Sequence, residues 1–224
     1  MNLVRAFAAA VRLQDSKLFV TGGGNGSIYN HNSAEMLIEE GWESNVPSLP
    51  VAVQGHCLVT VNSTTVMAIG GFQDDHYSGK TFFFTFGEES WVEGPALKYE
   101  RDAHSCGRIK RDKESQEMSI IVAGGSSDGN NYLSSVEILD EDSSKWQTGP
   151  ELPFGIKHSQ MIEHLDGEVI LIGGWSSEIG RLDTLYQLNN GGQGAMWTKM
   201  EQWLKKGRSY HTAFMVPDNI VDCS

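Results

Sequence analysis

Histidine is the side chain most often recruited for metal ligation and for proton transfer near neutral pH. Four of the seven histidines here, His56, His104, His158 and His211, recur at what reads as one position of a repeated pattern. A metal ring would require all four to line one axis. Side chains at equivalent positions of successive units otherwise face different neighbours, so the expectation is packing and hydrogen bonding, with no metal site and no cofactor. The other constellations that carry chemistry are missing from the sequence. There is no His-Glu-x-x-His, no Gly-x-Ser-x-Gly and no phosphate loop, so no catalytic residue is assigned. Asp140-Glu141-Asp142-Ser143 begins like a calcium loop but lacks the glycine and the closing glutamate, and reads as a turn into a strand at Trp146. Three cysteines, Cys57, Cys106 and Cys223, are odd in number and sparse, and imply no disulfide framework. Cys106 falls at the same point of the pattern as Ala10 and Ala213, a small buried slot. Cys57 is one residue out of that phase, and Cys223 lies in the tail.

The elements that would position these residues repeat. Apolar runs close on glycine pairs at Gly22-Gly23, Gly70-Gly71, Gly124-Gly125 and Gly173-Gly174, at steps of 48, 54 and 49 residues. Trp42, Trp91, Trp146 and Trp197 follow the second glycine by 19, 20, 21 and 23 residues. A second apolar run lies between each pair and its tryptophan: Ala34–Ile38, Thr81–Phe86, Val136–Leu139 and Thr184–Leu188. Another run precedes each pair and carries a small motif. It reads Arg5-x-x-Ala8-x-Ala10, Val53-x-x-His56, Arg101-x-x-His104-x-Cys106 and Ile156-x-His158, and returns as Arg208-x-x-His211-x-Ala213. Leu49-Pro50, Gly94-Pro95 and Gly149-Pro150 supply turns between units. Runs this short, rich in β-branched and aromatic residues, read as strands. A period of about 50 residues with four strands per unit is the grammar of propeller blades.

Four glycine pairs in register with four tryptophans resemble kelch repeats, and the Arg-x-x-His of the first strand strengthens the likeness, which covers Leu3 to about Val216. The resemblance implies an all-β, kelch-type β-propeller of four four-stranded blades, about 3–48, 49–98, 99–152 and 153–206, in a single domain. An extra carboxy-terminal strand, at about 207–218, implies a partial or open ring, a piece of a longer protein, six-bladed for example, truncated at its amino end. A rival geometry would close four blades, with the last strand displacing Arg5–Leu13. Kelch repeats carry a tyrosine in the third strand, where Leu37, Thr85, Leu139 and Leu188 stand here, so the likeness is to a divergent branch. Each tryptophan is expected to cover the flat face left by a glycine pair. Copper oxidases share the architecture, but Tyr210-His211 lacks the second tyrosine, further histidine and cysteine of such a site.

In the proteins this chain resembles, loops between the second and third strands often form the binding face. Here they hold Tyr29, His31, Asp74, Asp75, His76, Tyr77, Asn130, Tyr132, Trp175 and Arg181, aromatic and charged types that anchor interfaces. The resulting reading is a non-enzymatic scaffold for a protein or peptide partner. Two alternatives are a propeller enzyme or carbohydrate-binding relative with an axial pocket, and a fragment of a ubiquitin-ligase substrate adaptor. Charged side chains converging on the axial mouth would favour the pocket; a small or apolar lining would favour the scaffold.

Charge agrees with a protein partner. With 17 Lys plus Arg against 29 Asp plus Glu the net charge is −12, which repels a phosphate backbone, so nucleic acid is not expected. The charged stretch Lys110–Glu117 reads as a solvated hairpin tip. No run approaches the roughly 18 apolar residues of a membrane span. The compartment stays open: the cytoplasm is slightly favoured, and secretion would need a signal peptide upstream of Met1.

Overall fold

A computed structural model describes residues 1–13, 17–25, 30–111, 117–141, 143–164, 167–189, 192 and 194–215. Four antiparallel four-stranded sheets follow one another along the chain. Blade one is β1 (Ala9–Arg12), β2 (Leu18–Thr21), β3 (Ala34–Ile38) and β4 (Gly41–Glu43). Blade two is β5 (Cys57–Thr60), β6 (Thr65–Ile69), β9 (Thr81–Thr85) and β10 (Val92–Glu93), with a small hairpin, β7 (Phe72–Gln73) and β8 (His76–Tyr77), inserted after its glycine pair. Blade three is β11 (Ser105–Ile109), β12 (Ser119–Ala123), β13 (Val136–Leu139) and β14 (Gln147–Thr148). Blade four is β15 (Gln160–Glu163), β16 (Val169–Ile172), β19 (Thr184–Leu188) and β20 (Thr198–Trp203), with the matching hairpin β17 (Trp175–Ser176) and β18 (Gly180–Arg181). The propeller arrangement and its four blades are as the sequence implies.

The second strands are near-continuous apolar runs because both faces of an inner blade are buried. Alternate residues serve opposite neighbours. In β6, Val66 and Ala68 pack with Phe19 of blade one, while Met67 and Ile69 pack with Ile120 and Val122 of blade three. In β12, Ile121 and Ala123 turn the other way, toward Met161, Val169 and Leu171 of blade four. The core is therefore three layers, one between each pair of successive blades.

The glycine pairs and tryptophans hold those layers in a way the sequence misreads. The tryptophans do not lie over the glycines. Each pair instead meets the start of the following blade. The second glycine's N–H donates to the carbonyl of Val53, Arg101, Ile156 or Arg208 in turn. The first glycine adopts a positive φ in every pair. At Gly124, a side chain would meet the Ile156 carbonyl at 2.3 Å. This contact is backbone against backbone, which leaves no room for an indole. The indole N–H groups of Trp91, Trp146 and Trp197 instead donate to the carbonyls of Pro47, Pro95 and Pro150, in the link from the preceding blade.

The cysteines also depart from expectation: Cys57 and Cys106 form a disulfide, their Cα atoms 6.1 Å apart. They sit on the innermost strands of adjacent blades, and there opposite phase is what brings two side chains together. A residue of blade two pointing toward blade three meets one of blade three pointing back.

The carboxy-terminal segment departs too. Residues 207–215 form no strand, and Val216 lies outside the described residues. The segment still docks on blade four as a blade start does, with Gly174 N–H donating to the Arg208 carbonyl and Arg208 N–H to that of Leu182. Because β1 pairs fully with β2, the rival in which the last strand displaces it is not what forms. Among the described residues no strand pairing joins residues 207–215 to blade one, and the ring stays open.

Candidate functional site

Each blade start reaches the propeller axis through one residue in the left-handed backbone region: Phe7 (φ 55), Gly55 (φ 61), Ala103 (φ 52), His158 (φ 53) and Tyr210 (φ 56). Four of these carry side chains, and such a conformation is strained for a residue other than glycine. The strain is held by a chain of backbone hydrogen bonds around the mouth. Gly55 N–H donates to Phe7, Ala103 to Gly55, His158 to Ala103 and Tyr210 to His158, at 2.9, 2.9, 2.8 and 3.2 Å. The two ends of this arc meet through the rings of Phe7 and Tyr210, 6.1 Å apart and edge to face, and Tyr210 stacks on His158 at 3.6 Å. Phe7 and Tyr210 are exposed.

The mouth opens on a cavity of about 590 Å³ lined by small residues, polar residues and these rings. By the test set above the lining is mixed. Asp102 is the carboxylate of the cavity wall, and burial pushes its pKa up to about 6 against the pull of Lys157. Burial, together with Lys157, takes His158 down to about 4. Among the described residues no three His, Cys, Asp or Glu side chains form a metal-ligating group.

The register of the histidines needs correction. The left-handed residues align His158 with Phe7, Gly55, Ala103 and Tyr210. The slot of His56, His104 and His211 is filled in blade four by Ser159. The spacing Ile156-x-His158, one residue shorter than Arg101-x-x-His104, already carried this information. Three histidines therefore share the position, and each packs its ring on the first glycine of the preceding blade, at Gly22, Gly70 and Gly173. His56 Nε2 lies 2.8 Å from the Thr21 hydroxyl. Burial, aided by the Arg5 and Arg101 charges respectively, takes His56 down to about 4 and His104 to about 3. These rings pack between blades.

The predicted face loops adjoin the mouth, because the residue before each left-handed position bridges to the residue after a glycine pair: Ala6 to Gly24, Gln54 to Phe72, Asp102 to Ser126, and Lys157 to Trp175. The structure brings Trp175 and Arg181 together, whereas Tyr77 and Tyr132 each meet other partners. Tyr77 packs edge to face on Phe72, and its pKa is raised by burial and by Asp102 and Asp128. Lys157 Nζ sits 4.2 Å over the Tyr132 ring, and the Arg181 guanidinium 5.5 Å over Trp175. Asp74, Asp75 and His76 are exposed at the β7–β8 turn, where both aspartates have positive φ. Asn130 is exposed in a loop organised by Asp128, whose carboxylate accepts the Asn130 and Asn131 N–H groups. His31 is half-buried at the start of the blade-one loop exit, and Tyr29 lies outside the described residues. Sequence reading missed Phe7, Asp102 and Lys157, and weighed Tyr210 only against a copper site. They fall at the variable places inside the Arg-x-x-His motif, where a search for recurring residues does not look.

Comparison with known proteins agrees with this architecture. Residues 119–153, from β12 through the turn after Trp146, match the Kelch motif family model. Kelch-like protein 41b of Danio rerio is 31% identical over 135 residues, covering 59% of this chain and 20% of that protein. The chain thus spans about a fifth of that relative's length.

Proposed function

We propose, from the premise that the chain is a divergent kelch-repeat β-propeller, that it is an interaction scaffold binding a protein or peptide on the face that carries the axial mouth. The observation behind this reading is the arc of left-handed residues at the mouth. Strained backbone persists where surrounding structure over-determines it, and it clusters at binding sites. Here it presents Phe7, His158 and Tyr210 at the mouth, and the loops that would contribute Tyr77, Tyr132, Trp175 and Arg181 are bridged to the residues beside it. Rigid aromatics with neighbouring cations are the usual anchors of interfaces. The net charge of −12 makes a basic or neutral segment a better partner than nucleic acid. No helix among the described residues is long and apolar enough to cross a membrane.

Selection of peptides from a random displayed library against the whole chain tests the proposal. Selected peptides should bind Tyr210→Ala and Trp175→Ala variants at least about tenfold more weakly, a hot-spot-sized loss, and should bind Asn62→Ala on the opposite hairpins unchanged. Peptides indifferent to both face substitutions would refute it. The cavity beside Asp102 supports a second reading, a small polar ligand such as a sugar. Binding on a glycan array that Asp102→Asn abolishes, with no peptide selected, would favour it.

A further inference from the structure

Two Asn-x-Ser/Thr triplets occur in the chain, Asn25-Gly26-Ser27 and Asn62-Ser63-Thr64. Such a triplet accepts a glycan only on an exposed segment of a chain that passes through the oxidising secretory route. Gly26 and Ser27 lie outside the described residues. At Asn62 both conditions can be read from the fold.

Asn62, Ser63 and Thr64 are exposed in the turn that joins β5 to β6. The Asn62 Oδ1 accepts the Thr64 N–H at 3.0 Å, the Thr64 hydroxyl at 3.2 Å and the Thr65 N–H at 2.9 Å. The triplet is thereby closed on itself, with the hydroxyl of its third residue against the carboxamide of its first. Among the described residues the Asn62 Nδ2 has no hydrogen-bond partner, so the nitrogen that would be modified faces no competitor. The Val61 and Asn62 N–H groups both donate to the Thr65 carbonyl, at 2.8 and 3.3 Å. Bonds this local form early: a hairpin closes in about 1–10 μs, against synthesis at about 5–20 residues per second. The acceptor is therefore shaped whether transfer precedes or follows assembly of the blades. From Gly55 at the mouth, β5 runs to Thr60 and β6 returns antiparallel to it. The turn thus lies at the far end of blade two, where a glycan leaves the mouth open.

The second condition rests on an independent observation. Cys57 and Cys106 are joined across two adjacent blades. Structural bonds of this kind form and persist in oxidising compartments and are rare in the cytosol.

We infer that Asn62 is an N-glycosylation site, carried by a chain that passes through an oxidising secretory compartment. The co-substrate is an oligosaccharide linked to a lipid diphosphate. Asn62 Nδ2 attacks the anomeric carbon, and a C–N bond forms as the C–O bond to the diphosphate breaks. The lipid diphosphate leaves with the electron pair, and one Nδ2 proton passes to a carboxylate of the transferase. Nothing is oxidised or reduced.

The test begins with the protein taken from its own cells and lysed into an alkylating agent. Cys57 and Cys106 should resist alkylation until they are reduced. Peptide-N-glycosidase digestion in heavy-oxygen water should leave a heavy-oxygen aspartate in the peptide that held Asn62. Free thiols at lysis, or an Asn62 peptide without that label, overturns the inference. The whole chain is then expressed behind a cleavable signal peptide in cultured animal cells. The glycan on the Asn62 peptide should be lost in Asn62→Gln and in Thr64→Val, and should persist in Thr64→Ser, which keeps the hydroxyl. Occupancy is read on all of the chain, secreted and retained, so that misfolding does not mimic its loss. A parent chain without the glycan, or a glycan that survives Thr64→Val, also overturns the inference.

Discussion

A guanidinium with no exposure survives burial only if its donors find acceptors and its charge a partner. Arg101 has both, in the Gly124 and Ser135 carbonyls and the Glu137 carboxylate, and blade two puts the buried pair Val53 and Phe82 in the same seat. Glu137→Ala should therefore cost about 3–5 kcal/mol, since it leaves a buried cation alone. Arg101→Val combined with Glu137→Phe, the pair found in blade two, should recover most of that loss. Urea unfolding of the two single variants and the double decides; a double variant no better than Glu137→Ala would show that the seats are not interchangeable. The inter-blade histidines set the response to acid. His56 and His104 stay neutral in the fold down to about 4 and about 3, while in the unfolded chain they protonate near 6.5. The folded state thus binds fewer protons between those limits. Stability is full above pH 6.5 and falls as pH drops through the window, by up to about 1.4 kcal/mol per pH unit for each ring. Asp102, raised to about 6, acts with the opposite sign: it holds a proton that the unfolded chain has released, and so favours the fold as pH falls from 6 toward 4. His104→Gln should flatten the acid limb in pH-resolved urea melts, and Asp102→Asn should steepen it.

Strand, glycine pair and tryptophan were legible in the sequence because each recurs, and recurrence at a fixed step reflects a shared backbone path. What each one touches was not legible, because every layer forms between blades about 50 residues apart. The glycine pairs were assigned to the indoles on proximity in the repeat, yet their contacts lie on the next blade's first residues. Cys57 and Cys106 seemed mismatched in phase, yet opposite phase is required across an inter-blade seam. The face loops were found through side-chain type, whereas the arc beside them escaped because its residues differ in every blade and share only a backbone angle. The glycine account can be checked at the element where it is tightest. Gly124→Ala would force both a left-handed alanine and a contact at 2.3 Å with the Ile156 carbonyl. Gly87, at φ 102 in a blade-two turn, has nothing within 4 Å of an added side chain. Gly87→Ala should cost about 1–2 kcal/mol, the backbone penalty alone. Gly124→Ala should exceed it by at least about 2 kcal/mol, as overpacking does. Equal costs in thermal melts would mean that the blade seam is not close-packed there.

Among the described residues no strand pairing closes the series of blades, so its cohesion depends on the seams between successive blades. The seam between blades two and three is the central one, and it alone is crossed by a covalent bond among the described residues. That bond joins the innermost strands of its two blades, and it spans 49 residues of sequence. A loop of that length removes about 4 kcal/mol of unfolded-state entropy in the chain-entropy account, and measured losses on removing a native bridge run at about 2–5 kcal/mol. Cys57→Ser should thus lower the stability of the whole chain by about 2–4 kcal/mol. Adding dithiothreitol to the parent protein should reproduce the loss, and the reductant should leave the Cys57→Ser variant unchanged. The place of the loss is as informative as its size. If the blades unfold as one body, amide exchange should accelerate in all four second strands when the bridge is cut. Faster exchange confined to Cys57–Thr60 and Ser105–Ile109 would show instead that the bridge restrains only a local opening of its own seam.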